Sequence, residues 1–174
     1  MLYFLIGPMG TGKTTLGSAT ATYLEWDFLD LDEAIESYKG RSVREIFAEE
    51  GEAAFRTEEG AALTRLPNQV KGPTIVATGG GTPCFGDHLA RMKTMGKVIY
   101  LQTSVETLAT RLAPATAHRP LLKGLDEGSL RLFLAEMLER RRVFYEQADH
   151  ILPEASQQPE QLAQLMLDHP YIAV

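Results

Sequence analysis

The sequence predicts an α/β fold in three layers, with a five-stranded parallel sheet between two sets of helices. Three observations carry that expectation. Short apolar segments alternate with helix-compatible stretches along the chain, the pattern of strands joined through crossover helices. The segment Pro73-Thr74-Ile75-Val76-Ala77 is apolar throughout, as a strand covered on both faces is. The first apolar run, Leu2 to Ile6, leads into Gly7-Pro8-Met9-Gly10-Thr11-Gly12-Lys13-Thr14. That stretch matches G-x-x-x-x-G-K-[ST], the phosphate loop that joins a strand to a helix in nucleotide-binding proteins.

The loop motif carries its own chemistry. Glycines let successive backbone N–H groups converge on one anion, and the N-terminus of the following helix adds partial positive charge. Lys13 is placed to neutralise the β- and γ-phosphates, and the Thr14 hydroxyl to hold Mg²⁺. The helix runs from Lys13 to about Leu24, a stretch free of proline.

The segment Phe28-Leu29-Asp30-Leu31-Asp32 reads as the end of a second strand. Positions two apart share a face, so Asp30 and Asp32 project together at the sheet edge where ligands bind. The alternative is that one of them caps a helix over Glu33 to Tyr38. Ser42-Val43-Arg44-Glu45 is a capping box with Ile46 and Phe47 beginning an apolar face, and Gly51 ends that helix. The next helix, from about Glu52, carries Phe55, Arg56 and Glu59. Arg56 is spaced to pair with Glu52 or Glu59 on the helix surface, or to aim its guanidinium fork at a substrate carboxylate.

The third strand ends in Thr78-Gly79-Gly80-Gly81, and three glycines in a row permit close backbone approach to a ligand. A helix from about Phe85 to Met95, a fourth strand Lys97 to Leu101 and a helix capped by Ser104 and running to about Leu112 follow. From Ala113 to Glu127 the pattern breaks at Pro114, Pro120 and Gly124, which reads as a lid bringing Arg119 over the phosphates. Ser129 opens a long helix to about Gln147 with Arg140, Arg141 and Arg142 in succession. Those three lie about 100° apart around the axis, so at most two face any one site. A short fifth strand around Ile151-Leu152 and a helix with Pro159 in its first turn close the chain.

At 174 residues the chain is expected to form one domain, without repeats or a linker. Its 17 basic and 23 acidic side chains leave a formal charge of −6, against non-specific binding to nucleic acid or anionic membranes. The single Cys84 precludes an internal disulfide framework and reads as a half-buried packing residue. The four histidines lack metal-ligand spacing and read as surface or packing groups. The N-terminal apolar run is too short for a signal or a membrane span, so the expected location is the cytoplasm.

Taken together, these pieces resemble the shikimate kinase family over nearly the whole chain. The resemblance rests on the phosphate loop, Phe28-x-Asp30-x-Asp32, Gly51-Glu52-x-x-Phe55-Arg56-x-x-Glu59, Thr78-Gly79-Gly80-Gly81, Arg119-Pro120-Leu121-Leu122 and Arg141-x-x-x-Tyr145. It implies a phosphate-loop kinase fold of the nucleoside-monophosphate-kinase type, strand order 2-3-1-4-5, and a monomer. It implies ATP-dependent phosphorylation of the 3-hydroxyl of shikimate. In that scheme Gly10, Thr11, Gly12, Lys13, Thr14 and Thr15 hold the ATP phosphates, and Thr14 and Asp30 hold Mg²⁺. Asp32 binds the acceptor hydroxyls and takes the proton, with no unusual pKa required. Arg56 and Arg141 clamp the acceptor carboxylate, and Gly79, Gly80 and Gly81 line the acceptor ring. Arg119 reaches the transferring phosphate, while Arg111 and the loop ending at Gln158 flank adenine. Residues 33–60 then form the acceptor-binding subregion of a single domain spanning 1–174, and 113–127 the lid.

The chain departs from the family pattern at Val143, where a proline is common, at Ser18, commonly basic, and in the Pro114-Ala115 and Ala117 part of the lid. Two other functions compete. A kinase of the gluconate type would also meet a carboxylate and hydroxyls, though the Phe55-Arg56 block and the glycine run argue against it. A silent nucleotide-binding module would be expected to lack one of Lys13, Thr14, Asp30 or Arg119, and all four are present.

Overall fold

The computed structural model describes residues 1–115 and 122–170. Five strands, β1 (Leu2–Ile6), β2 (Asp27–Asp30), β3 (Thr74–Ala77), β4 (Gly96–Gln102) and β5 (His150–Pro153), alternate with helices. The helices are α1 (Lys13–Leu24), α2 (Leu31–Lys39), α3 (Val43–Gln69), α4 (His88–Met95), α5 (Val105–Leu112), α6 (Glu127–Tyr145) and α7 (Pro159–Asp168). All strand pairs are parallel, in the order β2-β3-β1-β4-β5. This is the three-layer architecture expected.

β1 shows why the layers are three. Every residue of it is buried, yet alternate side chains enter different cores. Leu2, Phe4 and Ile6 pack with Ile35, Leu63 and Met92 of α2, α3 and α4, while Tyr3 and Leu5 pack with Ala21, Leu162 and Met166 of α1 and α7. Burying each such side chain contributes roughly 1.5–3 kcal/mol, so a strand apolar on both faces belongs in the middle of the sheet. A third cluster, with Leu108, Leu122 and Leu134, joins α5 to α6.

Local signals explain the element boundaries. The capping box at Ser42 is formed in full, and Gly51 (φ 82°, ψ 175°) breaks α3 into the two expected helical parts. Ser104 caps α5, and Pro159 stands in the first turn of α7. Three expectations are corrected. Asp32 lies in α2 rather than in the strand, because the Asp30 carboxylate accepts from the N–H groups of Asp32 and Glu33 and starts the helix at Leu31. The cap of α6 is Asp126, which accepts from the Ser129 N–H, so the helix begins before Ser129. The fourth helix begins at His88, after a 3₁₀ turn over Thr82–Cys84.

Parallel strands bring the ends of β1, β2 and β3 to one edge of the sheet, and with them Gly7, Asp30 and Thr78. Val143 and Ser18, the two departures in described helices, are both exposed, and α6 runs unbroken through Val143.

Candidate active site

At that edge lies an open cavity of about 720 Å³ lined by the phosphate loop, Asp30, Asp32, Gly79, Gly80 and Arg111. The loop turns through left-handed backbone at Gly10 (φ 82°) and Gly12 (φ 96°), conformations that only glycine adopts without strain. Gly12 is the N-cap of α1 and supplies no side-chain cap, so the first-turn N–H groups of the helix are left for a ligand. Thr14 and Thr15, in that first turn, line the cavity. Lys13, 8% exposed, folds its ammonium back onto the carbonyls of Gly7 at 2.8 Å and Pro8 at 2.9 Å. The buried Thr11 hydroxyl has no hydrogen-bond partner among the described residues.

Across the cavity the Thr14 hydroxyl donates to Asp30 Oδ2 at 2.7 Å. The other oxygen of Asp30 caps α2. Both readings of that residue therefore hold at once, because one carboxylate has two oxygens pointing to opposite sides. Asp32, one helical step on, lines the same cavity with its buried Oδ1 unpartnered among the described residues. Burial, with the charges of Asp30 and Glu59 adding to it against Lys13, pushes the Asp32 carboxyl up to about 6.

That shift has a measurable consequence for the free protein. The native carboxyl binds its proton more tightly than the unfolded one, whose pKa is near 3.8. Its stabilising contribution is therefore present below about pH 4 and is lost as pH rises through about 6. With nucleotide and metal removed by EDTA, Asp32→Asn should melt about 2–6 °C higher than the parent at pH 7.5, with the gain fading towards pH 4. A melting-temperature difference independent of pH would refute this.

Beyond the glycines, Arg56 is built into a buried ion pair. Its Nη1 donates to Glu59 Oε2 at 2.6 Å, and its other nitrogens reach Glu52 Oε1 at 2.9 and 3.2 Å. The arginine side chain is 9% exposed, Glu59 fully buried, and Glu52 60% exposed. Burial works against the Arg56 charge, and the hydrogen-bonded Glu59 and Glu52 outweigh it. The pairs expected from helical spacing form, but they are not a solvated surface feature. Arg56 also lies over the rings of Phe85 at 5.3 Å and Phe55 at 5.4 Å. A side-chain carbon at Gly81 would sit 2.4 Å from its guanidinium, so glycine there is what lets the fork reach the loop.

Arg141 is the one arginine of its run turned inward. Arg140 and Arg142 are exposed and lie near Glu136 (3.9 Å) and Glu146 (2.6 Å) on the helix surface, whereas Arg141 is half-buried beside the Tyr145 hydroxyl and Cys84. Burial pushes the Cys84 thiol up to about 11, with the charges of Arg141 and Arg56 working against it. Cys84 packs against the core as expected. Of the histidines, His88 is buried against the Thr82 carbonyl, and His150 stacks on His169.

Arg111 sits at the far end of the cavity and donates to the carbonyls of Gly10 and Thr11 at 3.3 and 2.8 Å. The neighbouring loop contributes Gln157 to the lining, while Gln158 is exposed at the N-cap of α7. Arg119 and most of the Arg119-Pro120-Leu121-Leu122 motif lie outside the described residues.

Three participants carry no assigned role in the sequence reading, although Tyr145 belongs to one of its motifs. Thr82 donates to Glu59 and so buttresses Arg56, Tyr145 donates to the Gly80 carbonyl at 2.7 Å, and Phe85 covers the guanidinium. Position next to the glycine run was the available signal for Thr82, and the four-residue spacing from Arg141 for Tyr145. Nothing local marks Phe85, since its partner is 29 residues away in sequence.

Comparison with known proteins agrees with this geometry. The family model described as shikimate kinase matches residues 9–169. A shikimate kinase of Parabacteroides distasonis is 44% identical over 145 residues, 83% of this chain and 83% of that one. Another, of Chlorobium chlorochromatii, is 42% identical over 153 residues, 85% of this chain and 79% of that one. The crystal structure of shikimate kinase from Bacteroides thetaiotaomicron matches with a TM-score of 0.84 at 35% identity, covering 97% of this chain and 96% of that one. The Acinetobacter baumannii enzyme, solved in complex with shikimate, matches with a TM-score of 0.83 at 32% identity, covering 98% and 95%. The chain belongs to the shikimate kinase family.

Proposed function

We propose that this protein transfers the γ-phosphoryl group of ATP to the 3-hydroxyl of shikimate, giving shikimate 3-phosphate and ADP in the biosynthesis of chorismate and the aromatic amino acids. The observation that carries the reading is the position of Asp32. It lines the cavity together with the phosphate loop, Gly79 and Gly80, and its unpartnered Oδ1 lies beside Gly79. A hydroxyl bound there has a proton acceptor beside it and the phosphates of ATP in front of it.

In this reading the first-turn N–H groups of α1, from Gly12 to Thr15, hold the phosphates. Lys13 exchanges the carbonyls of Gly7 and Pro8 for phosphate oxygens. Arg56 and Arg141 hold the acceptor carboxylate, where a planar fork fixes orientation as well as charge. The acceptor oxygen then bonds to the γ-phosphorus as the bond to the bridging β,γ-oxygen breaks, and Asp32 takes the hydroxyl proton. A carboxyl with a pKa near 6 is still ionised at neutral pH and holds the proton better than an ordinary one. The transition state is loose, so alignment and charge neutralisation dominate. Arg119 is assigned to the transferring phosphate and Arg111 with the Gln157–Gln158 loop to the adenine end.

Thr14 and Asp30 fit a Mg²⁺ ion. They place a hydroxyl and a carboxylate oxygen 2.7 Å apart, the hard donors such an ion takes. Among the described residues no group of three His, Cys, Asp or Glu side chains could hold a metal, so these two residues would share the ion with phosphate oxygens and water. When bound, Mg²⁺ neutralises charge on the β- and γ-phosphates.

The proposal extends to one domain over 1–174, with 33–60 as the acceptor-binding subregion and 113–127 as the lid that excludes water as a competing acceptor. It includes a cytoplasmic monomer without nucleic-acid or membrane partners. The −6 charge supports this, and among the described residues no helix is long and apolar enough to cross a membrane. A coupled ADP-release assay with Mg·ATP tests the core of it. Release should require shikimate. Release with gluconate instead would reassign the acceptor, and ATP binding without any release would leave a nucleotide-binding module.

A further inference from the structure

Nothing in the chemistry above uses the hydrogen bond between Tyr145 and the Gly80 carbonyl. Three glycines in succession have unusual backbone freedom to lose, so a loop of this kind that presents backbone groups to a ligand needs ties. Two of its carbonyls are tied locally: Gly79 accepts from the Thr82 N–H at 3.1 Å, and Gly81 from the Cys84 N–H at 2.9 Å. The carbonyl between them is held from 65 residues away, by the Tyr145 hydroxyl at 2.7 Å.

Geometry turns those ties into directions. In a planar trans peptide the C=O and the N–H of the next residue point opposite ways. Pinning the Gly79 carbonyl therefore aims the Gly80 N–H, and pinning the Gly80 carbonyl aims the Gly81 N–H. Among the described residues neither N–H has a hydrogen-bond partner. Gly80 lines the cavity with Asp32 and lies so close to the phosphate loop that a side-chain carbon on it would be 3.1 Å from the Met9 nitrogen.

Tyr145 is suited to act as the anchor. It is fully buried, and its ring stacks on Tyr100 of β4 with centroids 5.0 Å apart and 25° between planes. One turn earlier on the same face of α6, Arg141 lies beside its hydroxyl. The same contact thus fastens the turn carrying Arg141 to the glycine loop.

We propose that Tyr145 is a positioning residue for the phosphoryl acceptor: it locks the Gly80–Gly81 peptide so that the Gly81 amide, beside the Gly80 amide aimed by the Thr82 tie, meets an oxygen of the acceptor, and it sets the place of Arg141 relative to them. This rests on the acceptor being bound beside Asp32, as proposed above.

Tyr145→Phe keeps the ring, its stack and its burial, and removes one oxygen. The expected result is a shikimate KM raised about 5- to 20-fold, with kcat and the ATP KM each within about twofold of the parent. Tyr100→Phe removes the hydroxyl of the neighbouring ring, which does not touch Gly80, and should leave all three constants unchanged. Melting curves of both variants are recorded alongside. A lower melting temperature for Tyr145→Phe with an unchanged shikimate KM would show a merely structural role and overturn the proposal. So would a KM increase shared equally by ATP, or one reproduced by Tyr100→Phe. Parent turnover with shikimate, together with a shikimate KM that Tyr145→Phe leaves unchanged, sinks this inference alone. Absence of parent turnover sinks the functional reading and this inference with it.

Discussion

Lys13→Met should lower phosphoryl transfer by at least about a thousandfold while the far-ultraviolet circular dichroism stays that of the parent. The two halves of that expectation have separate causes. Methionine keeps the unbranched apolar stem and the helix propensity of lysine, and the position lies outside the three hydrophobic clusters that hold the layers together. What is lost is the ammonium, now bound to the carbonyls of Gly7 and Pro8. Those carbonyls belong to buried residues, so leaving them without their partner costs about 1–3 kcal/mol. The transition state loses much more, because a fixed charge in a closed, low-dielectric site acts on charge that water no longer screens. Single-turnover rates with saturating ATP and shikimate measure the loss. Activity within tenfold of the parent would remove the phosphate-loop argument at its root.

The second large effect is at Arg56, and there the choice of variant decides what is learned. Arg56→Ala would strand Glu59, which is fully buried and accepts from Arg56 and Thr82. Breaking a buried pair from one side costs about 3–5 kcal/mol, so the alanine variant should lose stability as well as acceptor binding. Arg56→Lys leaves a cation for Glu59 and removes the fork. It should raise the shikimate KM by about 10- to 100-fold, with ATP affinity changed by less than about twofold. In the free protein one side of the fork is occupied by Glu52, whose side chain is 60% exposed. An exposed partner of this kind contributes little, so an acceptor carboxylate can displace it while Glu59 keeps its hold. Equal weakening for both ligands in Arg56→Lys would refute the assignment of Arg56 to the acceptor.

These residues also show what was legible before the structure. Local signals were read well: the capping box at Ser42, the break at Gly51, the cap at Ser104 and the proline opening α7 were all visible, because each is an interaction within a few residues. Asp30 was visible as two alternatives and proved to be both, one oxygen on the helix and one on Thr14. The boundary at Asp32 was misread by two residues for the same reason, since the cap that starts α2 overrides the strand alternation. Arg56 illustrates the limit. Helical spacing names Glu52 and Glu59 as its partners but carries no information about burial, and burial separates a surface ion pair from a functional group.

By itself the sequence determined the layers, the phosphate loop and the family, because apolar periodicity and a contiguous motif are properties of neighbouring residues. The order of the strands came through the family resemblance, since the residues of a buried apolar strand do not say which edge meets which. The resemblance also picked Arg141 from its run, and the structure turns it inward while Arg140 and Arg142 face solvent. Only the tertiary structure decided that Thr82 braces the buried Arg56–Glu59 pair and that Tyr145 holds the glycine loop. Each of these depends on contacts between elements far apart in the chain, where a hydrogen bond forms because packing brings two groups within 3 Å and no local pattern records it.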